Sequence, residues 1–347
     1  MQVVAFNKTG PIDVLSLQEA PMPVPAGQDV LVKIESVGLN RADSLYREGR
    51  YFIKPFGDAG GAGEVQNVPS RVGFEGAGTV VEAPANSDFS RGDKVGITPL
   101  QFDVKQQGCL AQYGVYPASC LVRTPAGIDA DIAGGIWMPY LTAWGGLVTD
   151  GGLDANTAAG KVVVITAASS SVGTAAIQLA VKLGATVIAT TTSDQKMAEL
   201  SRYGAHHVVN MKTDDYVARI REITSGGGTD LVFDAVAGPG MRYLVQGAAR
   251  GSKIIVQGML DRRPMEIHAG VLMKRLLTLK GFTLDLLLEN TVEFQKAVAG
   301  LTAMFEKQEI LPVIAQKFSM AQFAEAFALL ESNKHTGKII INPWGSE

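Results

Sequence analysis

The chain has 347 residues, 46% of them hydrophobic and 19% charged, with a formal net charge of −3 and two cysteines, Cys109 and Cys120. This composition excludes a disordered chain, a disulfide framework and an electrostatic footprint for nucleic acid or an anionic membrane, and no window holds the ~18 apolar residues that a membrane helix needs. We therefore expect a two-domain globular chain of the reducing cytoplasm, without a signal peptide.

Residues 1–126 alternate short apolar runs with turn residues. Residues 29–38 show the two-residue alternation that is typical of a half-buried strand. We predict a β-rich, barrel-like domain, with the glycine-rich residues 52–70 forming a surface loop.

From residue 127 to residue 286, β-branched apolar runs alternate with amphipathic helices, which indicates an α/β domain. Six strands are predicted, at 162–165, 185–189, 207–210, 231–234, 253–258 and 277–282. This pattern matches the doubly wound parallel-sheet (Rossmann) fold that binds dinucleotides, and it includes a helix at 241–250. The tail, residues 287–347, carries two further helices and a closing strand, which we expect to complete the first domain.

A βαβ unit at 161–196 contains the turn that we expect to hold the cofactor's phosphates. The usual G-x-G-x-x-G pattern is reduced to Ala168, Ser170 and Gly173. Because a helix start carries partial positive charge and free N–H groups, a pyrophosphate is expected there. The contacting residues would be Ser169, Ser170, Ser171, Val172 and Gly173; the alternative is an ordinary βα turn that binds nothing.

The end of the second strand of this unit distinguishes between cofactors. NAD-binding units place a carboxylate there, but this chain has Thr191, Thr192 and Ser193, and Lys196 follows shortly after. A carboxylate would repel a 2′-phosphate, whereas hydroxyls and a lysine would accept it, so we predict NADPH. As an alternative, Lys196 is only a solvated surface residue.

Gln257 and Gly258 follow the fifth predicted strand. They lie at the carboxyl edge of the parallel sheet, where the nicotinamide of a bound dinucleotide is expected.

Taken together, the domain order and several short motifs resemble the medium-chain dehydrogenase/reductase superfamily, in its zinc-independent quinone oxidoreductase (zeta-crystallin-like) branch. The motifs are Val37–Asp43, Gly73–Gly78, Arg91–Val95, Tyr140–Trp144, Ala167–Gly173 and Gly337–Ile340. The resemblance implies a GroES-like first domain, NADPH, a cleft between the domains, and a homodimer or homotetramer formed through the cofactor domain. It also implies that Thr142 faces the cofactor.

The sequence argues against a metal site. Zinc alcohol dehydrogenases of this superfamily have a cysteine where this chain has Asn40 and a histidine where it has Phe74, before the retained Glu75. A structural zinc lobe needs four cysteines, and the four histidines lack ligands at suitable spacing. We therefore expect no metal.

Without a metal, a hydrogen-bond or proton donor is expected to stabilise the negative charge that hydride transfer creates on the substrate oxygen. In the quinone reductases, the candidate segment has a spacing that Asn40, Arg47, Gly49 and Tyr51 reproduce here. By this resemblance, Tyr51 is the donor, Asn40 lines the site near the nicotinamide, and Arg47 is a third catalytic candidate. Alternatively, Tyr51 is a half-buried aromatic residue, and Arg47 is an ion-pair partner of Asp43.

The leading hypothesis is an NADPH-dependent reductase of a quinone or an α,β-unsaturated carbonyl compound, acting on a small molecule without nucleic-acid or membrane partners. The alternatives are a reductase of enoyl thioesters, a non-catalytic NADPH-binding protein and, more remotely, a zinc alcohol dehydrogenase.

Overall fold

The chain divides by its contacts into two units, Met1–Met138 with Ile314–Glu347, and Pro139–Val313. The structure, a computed structural model, describes residues 1–55, 67–99 and 102–345. Residues 56–66 of the predicted surface loop lie outside the described residues. Among the described residues, no helix combines the length and the apolar character needed to cross a bilayer.

The strands of the described residues, in chain order, are β1 Gln2–Phe6, β2 Ser16–Glu19, β3 Asp29–Leu39, β4 Ser70–Arg71, β5 Gly76–Glu82, β6 Lys94–Ile97, β7 Tyr113–Pro117, β8 Leu121–Arg123, β9 Val162–Ile165, β10 Thr186–Thr191, β11 His207–Asn210, β12 Thr229–Asp234, β13 Ala248–Val256, β14 Thr278–Gly281, β15 Ile314–Ser319 and β16 Lys338–Asn342.

The α-helices of the described residues are α1 Arg41–Arg47, α2 Val104–Gln107, α3 Trp137–Trp144, α4 Ser171–Leu183, α5 Met197–Arg202, α6 Tyr216–Ile223, α7 Met241–Gly247, α8 Ala269–Arg275, α9 Leu284–Glu289, α10 Thr291–Glu306 and α11 Phe323–Ser332. A π-helical segment, Gly145–Asp150, continues α3.

The first unit is β-rich, as predicted. Its larger sheet runs in the order β15-β16-β3-β5-β6-β8, with β7 also paired to β3, and its smaller sheet is β2-β1-β4. The 11-residue β3 is the centre of the larger sheet because it pairs with β16, β5 and β7. Both the start of α1 and the closing strand β16 therefore lie next to the carboxyl end of β3.

The second unit is a six-stranded parallel sheet in the order β11-β10-β9-β12-β13-β14. This is the doubly wound order predicted from the sequence, in which the carboxyl ends of the central strands define the ligand edge. The central strand β9 is buried because Val163, Val164 and Ile165 have no exposed surface. The predicted Rossmann fold is confirmed.

One predicted helix is shorter than expected. The sequence predicted a helix over 241–250, but α7 ends at Gly247 and β13 begins at Ala248, which pairs with Thr229 of β12. Strand β13 begins earlier than predicted because Ala248 already pairs with β12. The parallel pairing therefore starts before the apolar run from which the strand was predicted.

The structure also divides the chain at different residues from those the sequence suggested. Helices α9 and α10 lie within the Pro139–Val313 unit, although the sequence placed residues 287–347 with the first domain. Side-chain packing explains the difference, since Phe305 of α10 meets Tyr140 of α3 edge to face at 4.8 Å between ring centroids. The Tyr140 hydroxyl also donates to Leu311 O at 2.8 Å.

Candidate active site

The turn between β9 and α4, where the sequence predicts the cofactor's phosphates, leads into a capped helix start. Ser170 is the N-cap of α4, and its Oγ accepts a hydrogen bond from Gly173 N at 3.0 Å. A Cβ at Gly173 would lie 2.5 Å from Ala168 O, so this position requires glycine. The N–H groups of a first helical turn have no intrahelical acceptors and attract an anion. Gly173 is the one glycine of the usual pattern that the sequence retains. It is also the position where a side chain would collide with the turn.

Lys196 reaches this turn from the segment after β10. Its Nζ donates to Ser169 Oγ at 3.1 Å, and burial lowers the pKa of the half-buried ammonium group. In the same segment the buried Thr191 accepts at Oγ1 from Ser193 N at 3.2 Å, while Thr192 is exposed. The structure thus joins Lys196 to Ser169 and Ser193 to Thr191, and their role at a 2′-phosphate stays a prediction.

The nearest acid, Asp194, is engaged elsewhere. Its Oδ1 accepts a hydrogen bond from Asn210 Nδ2 at 2.6 Å. Asn210 is itself buried at the end of β11. The carboxylate that would repel a 2′-phosphate is therefore held by an amide of the neighbouring strand.

A buried carboxylate that the sequence analysis missed organises the ends of β12 and β13. Asp234 accepts hydrogen bonds from Thr166 Oγ1 at 2.6 Å and from Ala237 N at 2.8 Å, and burial raises its pKa. Gln257 N donates to Asp234 O at 2.8 Å, and a Cβ at Gly258 would lie 2.8 Å from Ala235 O. Gln257 and Gly258 therefore lie at the carboxyl ends of the strands, as predicted, within a backbone that Asp234 fixes.

Thr142 lies in the middle of α3 with 8% of its surface exposed. Its position in the Pro139–Val313 unit puts it in the same unit as the phosphate turn. Its expected role at the cofactor stays a prediction.

In the first unit, Asn40 belongs to a buried polar cluster. It directly precedes α1, and its Nδ2 donates to Gly38 O at 2.9 Å and to Glu75 Oε1 at 3.0 Å. Its Oδ1 accepts from Lys338 Nζ at 2.6 Å, and the same ammonium group also forms an ion pair with Glu75. Both donors and the acceptor of the Asn40 amide therefore have protein partners.

Asp43 lies beside this cluster and is fully buried. Its carboxylate accepts hydrogen bonds from Asn40 N at 2.8 Å and Gly73 N at 3.0 Å. Burial raises the pKa of Asp43 to about 7, and nearby Glu75 adds to the rise, although the two N–H groups and the Lys338 ammonium group oppose it. Asp43 is thus a carboxyl group that titrates near neutrality inside the unit.

Arg47 does not form the ion pair with Asp43 that the sequence suggested, and its catalytic role stays a prediction. It is 1% exposed and forms ion pairs with Glu331 at 2.9 Å and Glu48 at 3.2 Å, while its Nε donates to Gly10 O at 2.9 Å. The suggested ion pair with Asp43 is replaced by these partners, because Asp43 points to backbone N–H groups instead. The guanidinium group of Arg47 ties α1 to α11.

Tyr51 packs in an aromatic cluster. Its ring centroid lies 4.1 Å from that of Phe52 and 5.3 Å from that of Phe74, which is buried. Tyr51 is half-buried, whereas Phe52 is 56% exposed. Tyr46, by contrast, lies inside the core with its hydroxyl 2.7 Å from Ser70 Oγ, and burial raises its pKa. Of the two tyrosines in this segment, only Tyr51 lies at the surface of the unit.

Comparisons with known proteins agree with this architecture. Residues 26–149 match the alcohol dehydrogenase GroES-like domain family, and residues 171–302 match the zinc-binding dehydrogenase family. The quinone oxidoreductase of Sus scrofa is 28% identical over 346 residues, which cover 98% of this chain and 97% of that protein. The chain belongs to the quinone oxidoreductase branch of the medium-chain dehydrogenase/reductase superfamily. The resemblance noted in the sequence is confirmed, and with it the GroES-like class of the first unit.

Other proteins similar to this chain are named for different activities. A solved quinone oxidoreductase of Escherichia coli complexed with NADPH superposes with a TM-score of 0.86 at 23% identity, covering 99% of this chain and 100% of that chain. The JamJ enoyl reductase in its apo form gives a TM-score of 0.82 at 28% identity, covering 98% of each chain. A polyketide synthase subunit of Mycobacterium tuberculosis is 31% identical over 343 residues, 97% of this chain but only 14% of that protein.

At the two positions where the resemblance implies a cysteine and a histidine in zinc members of the superfamily, this chain has Asn40, which is bonded to Glu75 and Lys338, and the aromatic ring of Phe74. Within residues 1–55, 67–99 and 102–345, no group of three His, Cys, Asp or Glu side chains is placed to hold a metal ion. Lys338 was not among the site residues predicted from the sequence, although its place directly before Ile339, Ile340 and Ile341 in a predicted strand indicated that it is buried.

Proposed function

We propose that the protein is an NADPH-dependent reductase that transfers hydride to a quinone or an α,β-unsaturated carbonyl compound without a metal. The observation that carries this proposal is the segment after β10, where hydroxyls and the Lys196 ammonium group adjoin the phosphate turn and Asp194 is held by Asn210. Such a site attracts a 2′-phosphate, whereas an NAD site would present a free carboxylate there.

The residues present fit the proposed cofactor. The close approach of Gly173 to Ala168 leaves the α4 N-terminus open to a pyrophosphate, and Lys196 supplies a positive charge beside it. Two solved structures of the same fold, the quinone oxidoreductase of Escherichia coli and a mycobacterial protein, were both determined in complex with NADPH, which supports this assignment. When bound, the reduced nicotinamide supplies the hydride.

The chain's own residues would then bind and polarise the acceptor. The Tyr51 hydroxyl is our candidate to donate a hydrogen bond to the substrate oxygen on which negative charge develops. The rings of Tyr51 and Phe52, with Tyr51 packed on the buried Phe74, offer an aromatic surface suited to a flat quinone or enone. Thr142, Gln257 and Gly258 are proposed to line the nicotinamide side.

The test is a spectrophotometric assay of the purified chain with NADPH and a panel of quinones, enones and enoyl thioesters. We expect loss of reduced-nicotinamide absorbance with quinones or enones, and a Tyr51→Phe variant about 100-fold slower in kcat/KM. Tyr243→Phe, on the other unit, is the control and should behave as the parent. Unchanged turnover of Tyr51→Phe with every acceptor would remove Tyr51 from the mechanism.

A second candidate function is the reduction of enoyl thioesters. It is favoured by the likeness to the JamJ enoyl reductase and to a segment of the polyketide synthase subunit. Faster turnover of an enoyl thioester than of any quinone or free enone would establish it. No absorbance loss with any member of the panel would favour the non-catalytic NADPH-binding protein instead.

We also propose that the chain forms a homodimer, or a homotetramer built from it, through the Pro139–Val313 unit. Strand β14 is the outer strand of the parallel sheet and largely exposed, and α8 beside it has no buried residue. Met273 and Leu276 are 74% and 58% exposed on this face. An exposed apolar face next to an open sheet edge is typical of an interface. Light scattering should give a multiple of the 36.7 kDa chain mass, and Met273→Asp should reduce it.

A further inference from the structure

Lys338 is a buried lysine whose contacts converge on the candidate substrate segment. It is 2% exposed in β16, and its ammonium group donates to Asn40 Oδ1 and pairs with Glu75. Because Asn40 Nδ2 also donates to Glu75 Oε1, the three side chains form a closed triangle of hydrogen bonds. An amide held in this way cannot rotate to exchange its oxygen and nitrogen without placing its donors against the ammonium group.

The surrounding backbone forms a slot for the lysine stem. A Cβ at Gly38 would lie 2.4 Å from Lys338 Cε, and a Cβ at Gly135 would lie 2.8 Å from Lys338 Cγ. Both positions must therefore lack a side chain for the long, straight lysine to lie between them. The ammonium group at its end therefore lies between Asn40 and Glu75.

The second oxygen of Glu75 extends the cluster. Glu75 Oε2 accepts a hydrogen bond from Met138 N at 2.8 Å, in the first turn of α3. A carboxylate at a helix N-terminus is stabilised by the helix dipole. One ion pair thus fixes the residue before α1 and the first turn of α3 in the same unit.

Stability alone does not require such a pair. Burying two charges costs several kcal/mol of desolvation, and replacing a buried ion pair by apolar residues of similar volume is often neutral or stabilising. What the charges add here is orientation, because a charge-assisted triangle admits one arrangement of the Asn40 amide and of the backbone that leads through α1 to Tyr51.

We propose that Lys338 is a positioning residue for the reductase reaction, which acts by locking Asn40 and the segment 40–51 against Glu75. This inference rests on the proposed function, since it assigns a purpose to the segment that carries the candidate donor Tyr51. Lys338 itself does not contact the substrate.

The experiment compares three variants with the parent: Lys338→Met, the double variant Lys338→Met/Glu75→Gln, and the control Lys317→Met. The control removes an exposed lysine from the neighbouring strand β15, where it pairs with Asp131. For each protein we would measure the thermal midpoint, the NADPH Kd by fluorescence, and kcat and KM with the best acceptor.

We expect Lys338→Met to lose thermal stability, because it leaves the Glu75 carboxylate buried without its cation, and to lose about 10- to 100-fold in kcat. The double variant removes both charges, so most of the thermal stability should return while kcat stays about tenfold below the parent. NADPH Kd and the control variant should be unchanged. A double variant that recovers the parent kcat, or a Lys338→Met variant with parent kcat, would overturn the proposal.

A second measurement does not depend on turnover. Hydrogen exchange of peptides covering residues 38–51 should be at least about tenfold faster in the double variant than in the parent, with peptides of the parallel sheet unchanged. Equal exchange in 38–51 would show that the triangle does not order this segment. If the parent reduces no acceptor, the proposed function fails, and the exchange result still decides whether Lys338 holds the segment.

Discussion

The candidate phosphate site in the Pro139–Val313 unit consists of backbone and small side chains, whereas the candidate substrate segment in the other unit rests on buried charges. Around Gly173 the relevant groups lie within a few residues of each other in sequence. Around Asn40, by contrast, the partners are Glu75 and Lys338, 35 and 298 residues away. The first kind of site depends on local shape and the second on distant charge balance, so mutations should affect them in different ways.

The largest effect is expected where a buried charge ties distant helices, at Arg47. An Arg47→Met variant leaves Glu331, which is just over a quarter exposed, without the cation that it pairs with, while Glu48 keeps its ion pair with Arg50. An unpaired charge that is partly exposed to water costs less than a fully buried one. We therefore expect the unfolding free energy to fall by about 2–3 kcal/mol. Urea unfolding measures it.

Arg50→Met is the matched control, since Arg50 is exposed and pairs with the same Glu48. It should change stability by less than about 0.5 kcal/mol. If Arg47→Met instead kept parent stability and lost turnover, Arg47 would belong to the catalytic residues that the sequence suggested.

The phosphate turn should respond in binding rather than in stability. In Gly173→Ala, the new Cβ would lie 2.5 Å from the carbonyl oxygen of Ala168, so the turn and the start of α4 must separate. We expect NADPH Kd to rise about 100-fold, equivalent to about 2.7 kcal/mol. Gly240→Ala, where a Cβ meets nothing within 4 Å, is the control for a glycine replacement in the same unit. Parent-like affinity in Gly173→Ala would place the phosphates elsewhere.

The contrast between the units also explains what the sequence could predict. Strands β9 to β14 and the turn that leads into α4 were predictable because apolar runs and Gly173 are local signals. The partners of Arg47 and Asn40 were not, because Glu331 and Lys338 are brought to them only by the pairing of β16 with β3 and the packing of α11. The hydrophobic pattern also could not show that α10 lies in the Pro139–Val313 unit, since amphipathicity shows that a face is buried but not which unit covers it.

Asp43 gives the buried cluster a pH dependence. Its pKa is raised from an ordinary value near 4 to about 7 in the folded chain, so between these values the folded state holds a proton that the unfolded state releases. Stability contributed by this group therefore falls as pH rises from ~4 to ~7 and is constant above. Urea unfolding of the parent and of Asp43→Asn tests this. The unfolding free energy of the parent minus that of Asp43→Asn should fall by about 2 kcal/mol between pH 5 and pH 7.

Asp261→Asn is the control for this experiment. Hydrogen bonds from Arg263 lower the pKa of the half-buried Asp261 to about 2, so this group changes stability only below about pH 4. The difference in unfolding free energy between the parent and Asp261→Asn should therefore be constant from pH 5 to pH 7. A flat curve for Asp43→Asn as well would mean that Asp43 is ionised throughout this range.

The smallest effect tests the choice of nucleotide at Lys196. Its ammonium group is half-buried beside Ser169, so Lys196→Met removes one charge-assisted contact to a 2′-phosphate and nothing from a 2′-hydroxyl. We expect NADPH Kd to rise about tenfold while NADH Kd changes by less than about twofold. Lys182→Met, on the exposed side of α4 and paired with Glu309, is the matched control. An equal loss of affinity for both nucleotides would instead place Lys196 at the pyrophosphate, because that group is common to NADPH and NADH. A preference for NADPH would then have to come from Thr191 and Ser193.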